Sequence, residues 1–244
     1  MKIKLAVDYR KLRFHNLYSE PYRHLYYLIF WPIFGMLFYG VERFWIRDNY
    51  LPIQCGLDDM IPFCEYFLIP YLLWFVYLLG IHIYTVLFDV RAFKRMMQFI
   101  IVTYGLTLLI YILFPNCQQL RPVVFERDNV FTHIMAAYYQ FDTNTNVLPS
   151  LHVIGSVAVM FAAWDSKHFS TRGWKIVFFL VTVWISISTV FLKQHSVLDM
   201  AAAIPVCMAG YLLAYRHMFS IMAPIRLRQY RTEKMRNKGK CGKI

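Results

Sequence analysis

Six apolar runs of 16 to 23 residues determine what this 244-residue chain can fold into. A helix needs about 20 mostly apolar residues to cross the hydrocarbon core of a bilayer. The runs cover residues 25–44, 66–88, 96–114, 149–164, 176–192 and 197–215. They predict an all-α integral membrane protein, a bundle of six transmembrane helices. Residues 1–24 are predicted to be a basic N-terminal segment, 25–215 one membrane domain and 216–244 a basic tail.

Lys and Arg are distributed very unequally over the segments between these runs. In a six-span arrangement, 21 of the 26 lie on one side and 5 on the other. Because such residues are retained on the cytoplasmic side, both termini are predicted to be cytoplasmic. The formal net charge of +12 then reflects topology and attraction to anionic lipid. A bilayer of the cell membrane is the expected partner, and nucleic acid is not.

This topology brings three polar motifs to the extracytoplasmic ends of the helices, at Arg121, at Ser150 with His152, and at His195 with Asp199. His195 and Asp199 are four residues apart, so they share one face of a helix. An Asp there can accept one ring N–H of His195 and leave the other nitrogen as a nucleophile. The alternative is a structural pair that only satisfies itself. Three motifs on one face predict an active site at the outer side.

The stretch 147–153 reads Val-Leu-Pro-Ser-Leu-His-Val. Pro is favoured at the first helical position, so a helix is predicted to begin at Pro149. Ser150, Leu151 and His152 then lie in the first turn, whose free N–H groups bind anions such as phosphate. His152 is a candidate general acid that protonates a leaving alkoxide. The alternative for His152 is an interfacial residue that only satisfies its own hydrogen bonds.

Two cations complete the expected phosphate site. Arg121 can grip a phosphate through two parallel N–H bonds, although an interfacial Arg that extends to the membrane surface fits the pattern as well. Lys193 precedes His195 by two residues and could neutralise a phosphate oxygen. In the long loop between the third and fourth runs, apolar side chains recur at helical spacing over 130–141. They predict a short amphipathic helix lying in the membrane interface.

These motifs resemble a known superfamily. Pro149-Ser150-Leu151-His152 is similar to the Pro-Ser-x-His core of the type 2 phosphatidic acid phosphatase and haloperoxidase superfamily. Ser188, His195 and Asp199 follow its Ser-Arg-x5-His-x3-Asp spacing, and Arg121-Pro122 resembles the end of its Lys-x6-Arg-Pro motif. Six spans with the motifs on one face is also the architecture of its membrane branch.

The resemblance implies phosphoryl transfer on a lipid phosphate substrate without a metal ion or other cofactor. By it, His195 attacks phosphorus and forms a phosphohistidine, Asp199 holds the ring, and His152 protonates the leaving group. Arg121, Ser150 and backbone amides such as that of Leu151 bind the phosphate oxygens. Hydrolysis of a phosphoric ester is the first expectation.

Two positions depart from the superfamily pattern. Phe114 stands at the position of the motif Lys, and Thr189 stands at the position of the motif Arg. With these two departures, the residues around the motifs resemble those of inositol phosphorylceramide synthases, which transfer a phospho-head group to an alcohol. A site with fewer cations suits a phosphodiester, which carries less charge than a monoester.

Two further classes of function are compatible with the same residues. Two His and one carboxylate also form a metal-binding triad, as in some transporters and oxidases. A catalytically silent lipid-binding protein could retain the pocket without the chemistry. Sensitivity to a chelator separates the first of these from phosphohistidine chemistry, and the effect of replacing His195 separates the second.

Overall fold

The computed structural model describes residues 4–217, which are mostly helical. The α-helices within this range are α1 (Phe30–Phe44), α2 (Gly56–Met60), α3 (Leu68–Phe88), α4 (Val90–Leu113), α5 (Val130–Phe141), α6 (Leu151–Asp165), α7 (Arg172–Phe191) and α8 (Val197–Tyr211). A 3₁₀ segment, Arg23–Ile29, leads into α1, another, Glu65–Phe67, leads into α3, and a π-helical segment, Leu212–His217, follows α8. Two short strands, β1 (Leu51–Pro52) and β2 (Asn116–Cys117), pair in parallel with Leu51 opposite Asn116.

Five helical segments of the described range are long and apolar enough to cross a membrane. They are Arg23–Phe44, Glu65–Phe88, Val90–Leu113, Arg172–Phe191 and Val197–Arg216. These segments support the prediction of an all-α membrane protein. Helix α6 has the composition of a span but only 15 residues, so the six-span count stays a prediction. The predicted tail, 216–244, lies almost wholly outside the described residues.

Helix α6 forms the centre of the bundle. It packs against α3, α4, α7 and α8. The small residues of α6 that are buried among these helices include Gly155, Ala158, Ala162 and Ala163. Small residues let helix backbones approach closely inside a membrane bundle. Gly155 is needed for this contact, because a Cβ there would lie 2.7 Å from the hydroxyl oxygen of Tyr104. Most of the residues of α6 are therefore enclosed by other helices of the bundle.

Helix α6 begins at Leu151, two residues later than the sequence predicted. Ser150 keeps an extended backbone, and its Oγ accepts the N–H of Val153 at 3.5 Å, which makes Ser150 the N-cap. A Ser side chain satisfies an N–H of the first turn that Pro cannot satisfy. Pro149 precedes the cap, and its peptide bond with Leu148 is cis.

Other helix boundaries follow from the same capping chemistry. Helix α4 begins at Val90, six residues before the predicted start, because the Asp89 carboxylate accepts the N–H of Ala92 at 3.1 Å. The predicted helix over 130–141 is confirmed as α5, with Asn129 capping its first turn. The four described cysteines, Cys55, Cys64, Cys117 and Cys207, are free thiols.

Candidate active site

His195 and Asp199 form the centre of the candidate site at the start of α8. The Nδ1 atom of His195 lies 3.0 Å from Oδ2 of Asp199, and the Asp199 side chain is fully buried. Because a carboxylate only accepts hydrogen bonds, Nδ1 carries the proton and Nε2 keeps a free lone pair. The pairing expected from the four-residue spacing is therefore confirmed. The same Oδ2 accepts the N–H of Ser196 at 2.9 Å, which fixes the carboxylate in place.

His152 faces His195 from the start of α6. The two ring centroids are 5.6 Å apart. On its other sides the His152 ring packs against Tyr71 at 4.7 Å and Trp74 at 4.6 Å, both from α3. Neither ring nitrogen of His152 has a hydrogen-bond partner among the described residues, although both are buried. The aromatic side chains therefore position the ring by contact and leave both nitrogens available to a ligand.

Ser150 and Leu151 lie at the same end of the bundle. The Ser150 N–H donates to the backbone oxygen of Asp199 at 3.2 Å, which ties the start of α6 to the start of α8. The Ser150 side chain is fully buried. Its oxygen caps α6, so its own O–H is the part that remains to donate to a ligand. The N–H of Leu151 belongs to the first turn, where helix amides lack partners within the helix.

Asn116 holds the segment that leads into the site. Its Oδ1 accepts the N–H groups of Val147 and Leu148, each at 2.8 Å. Its Nδ2 donates to the backbone oxygens of Phe114 and Leu148. Every hydrogen-bonding atom of this buried amide is thus used. The hydroxyl of Tyr111 adds a bond of 2.8 Å to the Pro149 oxygen, so the end of α4 positions the start of α6.

Asp58 supports the opposite side of the site. Its Oδ2 accepts from the Ser196 hydroxyl at 2.6 Å and from the Cys55 N–H at 2.8 Å, and its Oδ1 accepts from the Val197 N–H at 2.8 Å. The carboxylate is fully buried and sits at the positive end of α8. Burial alone would raise the pKa of Asp58, but the hydrogen bonds from Ser196, Val197 and Cys55 outweigh burial and lower it.

Lys193 is directed toward this same loop. Its Nζ donates to the backbone oxygen of Asp58 at 2.6 Å, and its backbone has a φ of 52°. The Lys193 side chain is 8% exposed. An ammonium has three N–H donors, so two remain besides the bond to Asp58. The expectation that Lys193 binds phosphate stays a prediction, and the bond that the structure describes is a structural one.

Arg121 bridges the long loop between α4 and α6 to the turn between α7 and α8. One terminal nitrogen, Nη1, donates to the backbone oxygens of Tyr139 and Asp142, at 3.1 and 2.8 Å. The other, Nη2, donates to the Thr143 oxygen at 2.8 Å and to Oε1 of Gln194 at 2.6 Å. The terminal N–H groups are therefore occupied, and they do not form the free two-pronged grip expected from the sequence. Only Nε lacks a partner among the described residues, and it is buried.

Asp142 shares the electrostatic environment of Arg121 and His195. Burial raises the pKa of the Asp142 carboxyl, while the nearby Arg121 and His195 lower it. For Arg121, burial lowers the pKa of the guanidinium, and Asp142 opposes that effect. Arg121, Asp142 and His195 therefore lie close enough to influence one another, so the three motifs predicted from the sequence meet at one end of the bundle.

Neither of the two positions that depart from the superfamily pattern supplies a charged side chain. Phe114 ends α4 and is 63% exposed. Thr189 is fully buried, and its hydroxyl donates to the Ser186 oxygen at 2.8 Å. The backbone oxygen of Thr189 accepts the N–H groups of both Gln194 and His195. Thr189 thus supports the turn that carries His195.

The chain matches the model of one protein family. A family model described as the PAP2 superfamily matches residues 38–213. The chain belongs to the PAP2 superfamily. No curated protein and no solved structure matched the chain. The match covers every motif residue discussed above and confirms the resemblance seen in the sequence.

Membership of the PAP2 superfamily supports a phosphatase-type phosphoryl-transfer enzyme in general. Across residues 4–217, no three His, Cys, Asp or Glu side chains form a group that could hold a metal ion. The likeness to inositol phosphorylceramide synthases stays a prediction, as do the individual roles of the residues in this PAP2 site.

The sequence analysis missed three groups that shape the site. Asp58 looks no different in sequence from its exposed neighbour Asp59. Asn116 follows the third apolar run without a motif. Glu42, from α1, accepts hydrogen bonds from Thr145 and Asn146 and also from Thr143. The contacts of Glu42 with residues 143–146 and those of Asp58 with the start of α8 span 101 to 139 positions in sequence, and no local pattern predicts them.

Proposed function

We propose that the chain is an integral-membrane lipid phosphate phosphatase that works without a metal ion, through a phosphohistidine on His195. The observation that supports this most directly is the free Nε2 of His195, oriented by Asp199, with the unpartnered His152 ring 5.6 Å away. A nucleophile, the group that orients it and a candidate acid are thus together at one end of the bundle.

The proposed reaction has two steps. In the first, Nε2 of His195 attacks phosphorus, the bond from phosphorus to the lipid oxygen breaks, and His152 gives that oxygen a proton. In the second, water attacks the phosphohistidine, His152 takes a proton from the water, and the phosphorus–nitrogen bond breaks. Asp199 stabilises the positive charge on the His195 ring in both steps. Bound phosphate favours a protonated His152, because opposite charges attract at short distance.

The phosphate oxygens are assigned to the groups around these two rings. The Ser150 hydroxyl, the Leu151 N–H and the Nε–H of Arg121 are donors that remain after the structural bonds have been counted. Lys193 retains two N–H donors that could complete the set. Backbone amides at a helix start suit an anion through both hydrogen bonds and the helix dipole.

A lipid substrate is favoured by an apolar cleft beside the candidate site. The cleft has a volume of about 780 Å³ and lies between α6 and α8. It extends from Val153 and Ala203, next to the first turns of both helices, to Trp164 near the opposite end of α6. Eleven residues of helix correspond to roughly 16 Å. A hydrocarbon chain held here would remain within reach of a phosphate at His195.

A second candidate is transfer of a phospho-head group to a lipid alcohol. It is favoured by Phe114 and Thr189, which leave the site with fewer cations than the superfamily pattern and so suit a singly charged phosphodiester. In this version an alcohol replaces water in the second step, while His195, Asp199 and His152 keep the same roles.

Product analysis of the purified protein tests both candidates. The protein would be offered phosphatidate, an isoprenyl diphosphate, and a phospholipid together with ceramide or diacylglycerol, with a chelator present throughout. His195→Ala is the test variant. His133→Ala is the matched control, because His133 is exposed and pairs with Asp128, which is exposed as well.

Three results are distinguishable. Free phosphate from wild type and His133→Ala, but not from His195→Ala, supports the phosphatase. A new phospholipid without free phosphate supports the transferase. Products that form only when the chelator is left out, or unchanged activity of His195→Ala, contradict the phosphohistidine route.

A further inference from the structure

Gln194 precedes the proposed nucleophile in the chain, and only one of its two amide atoms, the oxygen, is hydrogen-bonded. It is 2% exposed and sits in the turn between α7 and α8, immediately before His195. Its Oε1 accepts from Nη2 of Arg121 at 2.6 Å. Its Nε2 is buried and has no hydrogen-bond partner among residues 4–217.

The orientation of this amide is fixed by Arg121. A guanidinium only donates hydrogen bonds, so the amide atom that faces it must be the oxygen. Reversing the amide would bring two donors together and break the bond of 2.6 Å. The N–H₂ group of Gln194 is therefore the end that points away from Arg121. The backbone on both sides is held as well, since Gln194 and His195 both donate to the Thr189 oxygen.

A second unused donor comes from Arg121 itself. Its four terminal N–H groups bind three backbone oxygens and Gln194, whereas its Nε is buried without a partner in the described part of the chain. Buried polar groups are nearly always hydrogen-bonded in folded proteins. The Nε–H of Arg121 and the Nε2–H of Gln194 are thus two buried donors on side chains that are hydrogen-bonded to each other. Because Gln194 is next to His195 in the chain, these donors indicate a ligand that supplies acceptor oxygens.

The chemistry of these donors defines the ligand. One donor belongs to a cation and the other to a neutral amide, so together they suit an oxyanion of low charge. We propose that Gln194 is a substrate-binding residue, whose Nε2–H, with the Nε–H of Arg121, binds a non-bridging oxygen of the phosphate ester. This inference rests on the proposed function. Position 189 holds Thr instead of the Arg of the superfamily pattern. The neutral amide of Gln194 is proposed to bind a phosphate oxygen that this missing cation leaves without a partner.

The test separates ligand binding from support of Arg121. Gln194→Glu keeps an oxygen for Arg121 and replaces the N–H₂ group with a second acceptor. Gln194→Met removes both atoms without adding charge. Gln98→Glu is the matched control, because Gln98 lies in α4 away from the candidate site, where its Nε2 donates to the Tyr27 hydroxyl at 2.9 Å, and that hydroxyl can donate to a Glu instead.

Binding is measured first without turnover, as the rise in melting temperature of the full chain in detergent when inorganic phosphate or orthovanadate is added. Kd values from these titrations are expected to rise about tenfold or more in Gln194→Glu and Gln194→Met, as for the loss of one hydrogen bond to an anion. Gln98→Glu is expected to stay within about twofold of wild type. In turnover assays, KM for the phosphate ester should rise more than kcat falls.

The outcomes distinguish this inference from the proposed function. Wild-type Kd values in both Gln194 variants overturn the inference and leave the phosphatase proposal standing. A wild-type protein that binds orthovanadate but turns over no substrate contradicts the proposed function, while the effect of Gln194 on binding is still read directly. If neither anion shifts the melting temperature of the wild-type protein, the inference is wrong. If Gln194→Glu fails to fold, Gln194→Met gives the same comparison.

Discussion

A carboxylate that can only accept hydrogen bonds determines which nitrogen of His195 is free. Asp199 accepts from Nδ1 at 3.0 Å, and it is held in turn by the Ser196 N–H. Its other oxygen, Oδ1, is buried and has no partner among the described residues. Burying the Asp199 carboxylate at an apolar helix end costs free energy. The hydrogen bonds from His195 and from the Ser196 N–H offset that cost.

Asp199→Asn is expected to reduce kcat on the order of 10³-fold, because a neutral amide stabilises a charged His195 ring poorly. An Asn at this position can also present N–H₂ to the ring and reverse its tautomer. The measurement is phosphate release by the purified variant. Asp128→Asn is the control, since Asp128 pairs with His133 at the exposed surface. Equal losses in the two variants would contradict the role given to Asp199.

Asp58 links the segment between α1 and α3 to the start of α8, and its removal should lower stability. Asp58→Asn is expected to lower the free energy of unfolding by about 2 kcal/mol at neutral pH, since hydrogen bonds to a buried charge are lost. The folded state lowers the pKa of Asp58. The stabilisation is therefore present above the ordinary Asp pKa of about 4 and is lost as the pH falls through the lowered value.

Thermal melts of Asp58→Asn and wild type at a series of pH values check this expectation. The difference in melting temperature should be largest near pH 7 and should narrow as the medium becomes acidic. Asp59→Asn serves as the control, because Asp59 is the exposed neighbour in the same short helix. A difference that is independent of pH would show that the charge of Asp58 is not what stabilises the turn.

At the scale of elements, the contact between α4 and α8 depends on one glycine. A Cβ on Gly210 would lie 2.4 Å from Cγ2 of Thr103 and 3.0 Å from the Phe99 ring. Thr103 cannot turn away easily, because it is β-branched and its hydroxyl donates to the Phe99 oxygen at 2.8 Å. The two helices can therefore keep their present distance only with Gly at this position.

Gly210→Ala is expected to lower the free energy of unfolding by about 1–3 kcal/mol, as for overpacking of a filled core. Gly105→Ala is the matched control on α4, since nothing lies within 4 Å of the position of its Cβ. Melting temperatures of the two variants in the same detergent give the comparison. Equal melting temperatures would show that α8 can move away from α4 without cost.

The apolar runs predicted most of the helices because burial in a bilayer acts on each segment separately. Capping residues then shifted the boundaries. Ser150 moved the start of α6 from Pro149 to Leu151, and Asp89 moved the start of α4 from 96 to Val90. In both cases a polar side chain next to the run, rather than the run itself, decided where helical hydrogen bonding begins.

The candidate site was less predictable than the helices. The four-residue spacing of His195 and Asp199 is local, and it correctly predicted their hydrogen bond. The environment of Arg121 depends instead on loop carbonyls 18 to 22 positions away and on Gln194, 73 positions away. Such contacts form only once the loop has folded over the bundle, so a charge pattern cannot reveal that the guanidinium is already occupied.

At the scale of the whole molecule, the two ends of the bundle differ in chemistry. The candidate site occupies the end where α4 stops and where α6 and α8 start. At the opposite end, the Asp165 carboxylate accepts from Arg95 at 2.7 Å and from Arg91 at 3.2 Å, which joins the end of α6 to the start of α4. This second end also carries the predicted cytoplasmic basic segments, so 21 of the 26 Lys and Arg residues are expected there.

The membrane topology can be tested by labelling single cysteines in a variant whose native cysteines are replaced by Ser. Val123→Cys and Phe14→Cys are suitable positions, because these residues are 100% and 98% exposed. Three candidate membrane spans separate them, those that contain α1, α3 and α4. A maleimide that cannot cross membranes is expected to label Val123→Cys in intact cells, and Phe14→Cys only after permeabilisation. The reverse pattern would invert the orientation given by the positive charges.

A third position decides whether the short helix α6 crosses the bilayer. Ser170 is exposed and lies between α6 and α7. The ion pairs of Asp165 place the end of α6 beside the start of α4, so Ser170→Cys should behave like Phe14→Cys and be labelled only after permeabilisation. With 15 residues, or roughly 22 Å, α6 spans less than the ~30 Å hydrocarbon core. If the Asp165 end of α6 lies at one membrane surface, its Leu151 end lies below the other, which would place His152 within reach of a lipid phosphate drawn slightly inward. Labelling of Ser170→Cys in intact cells would contradict this crossing and leave five spans.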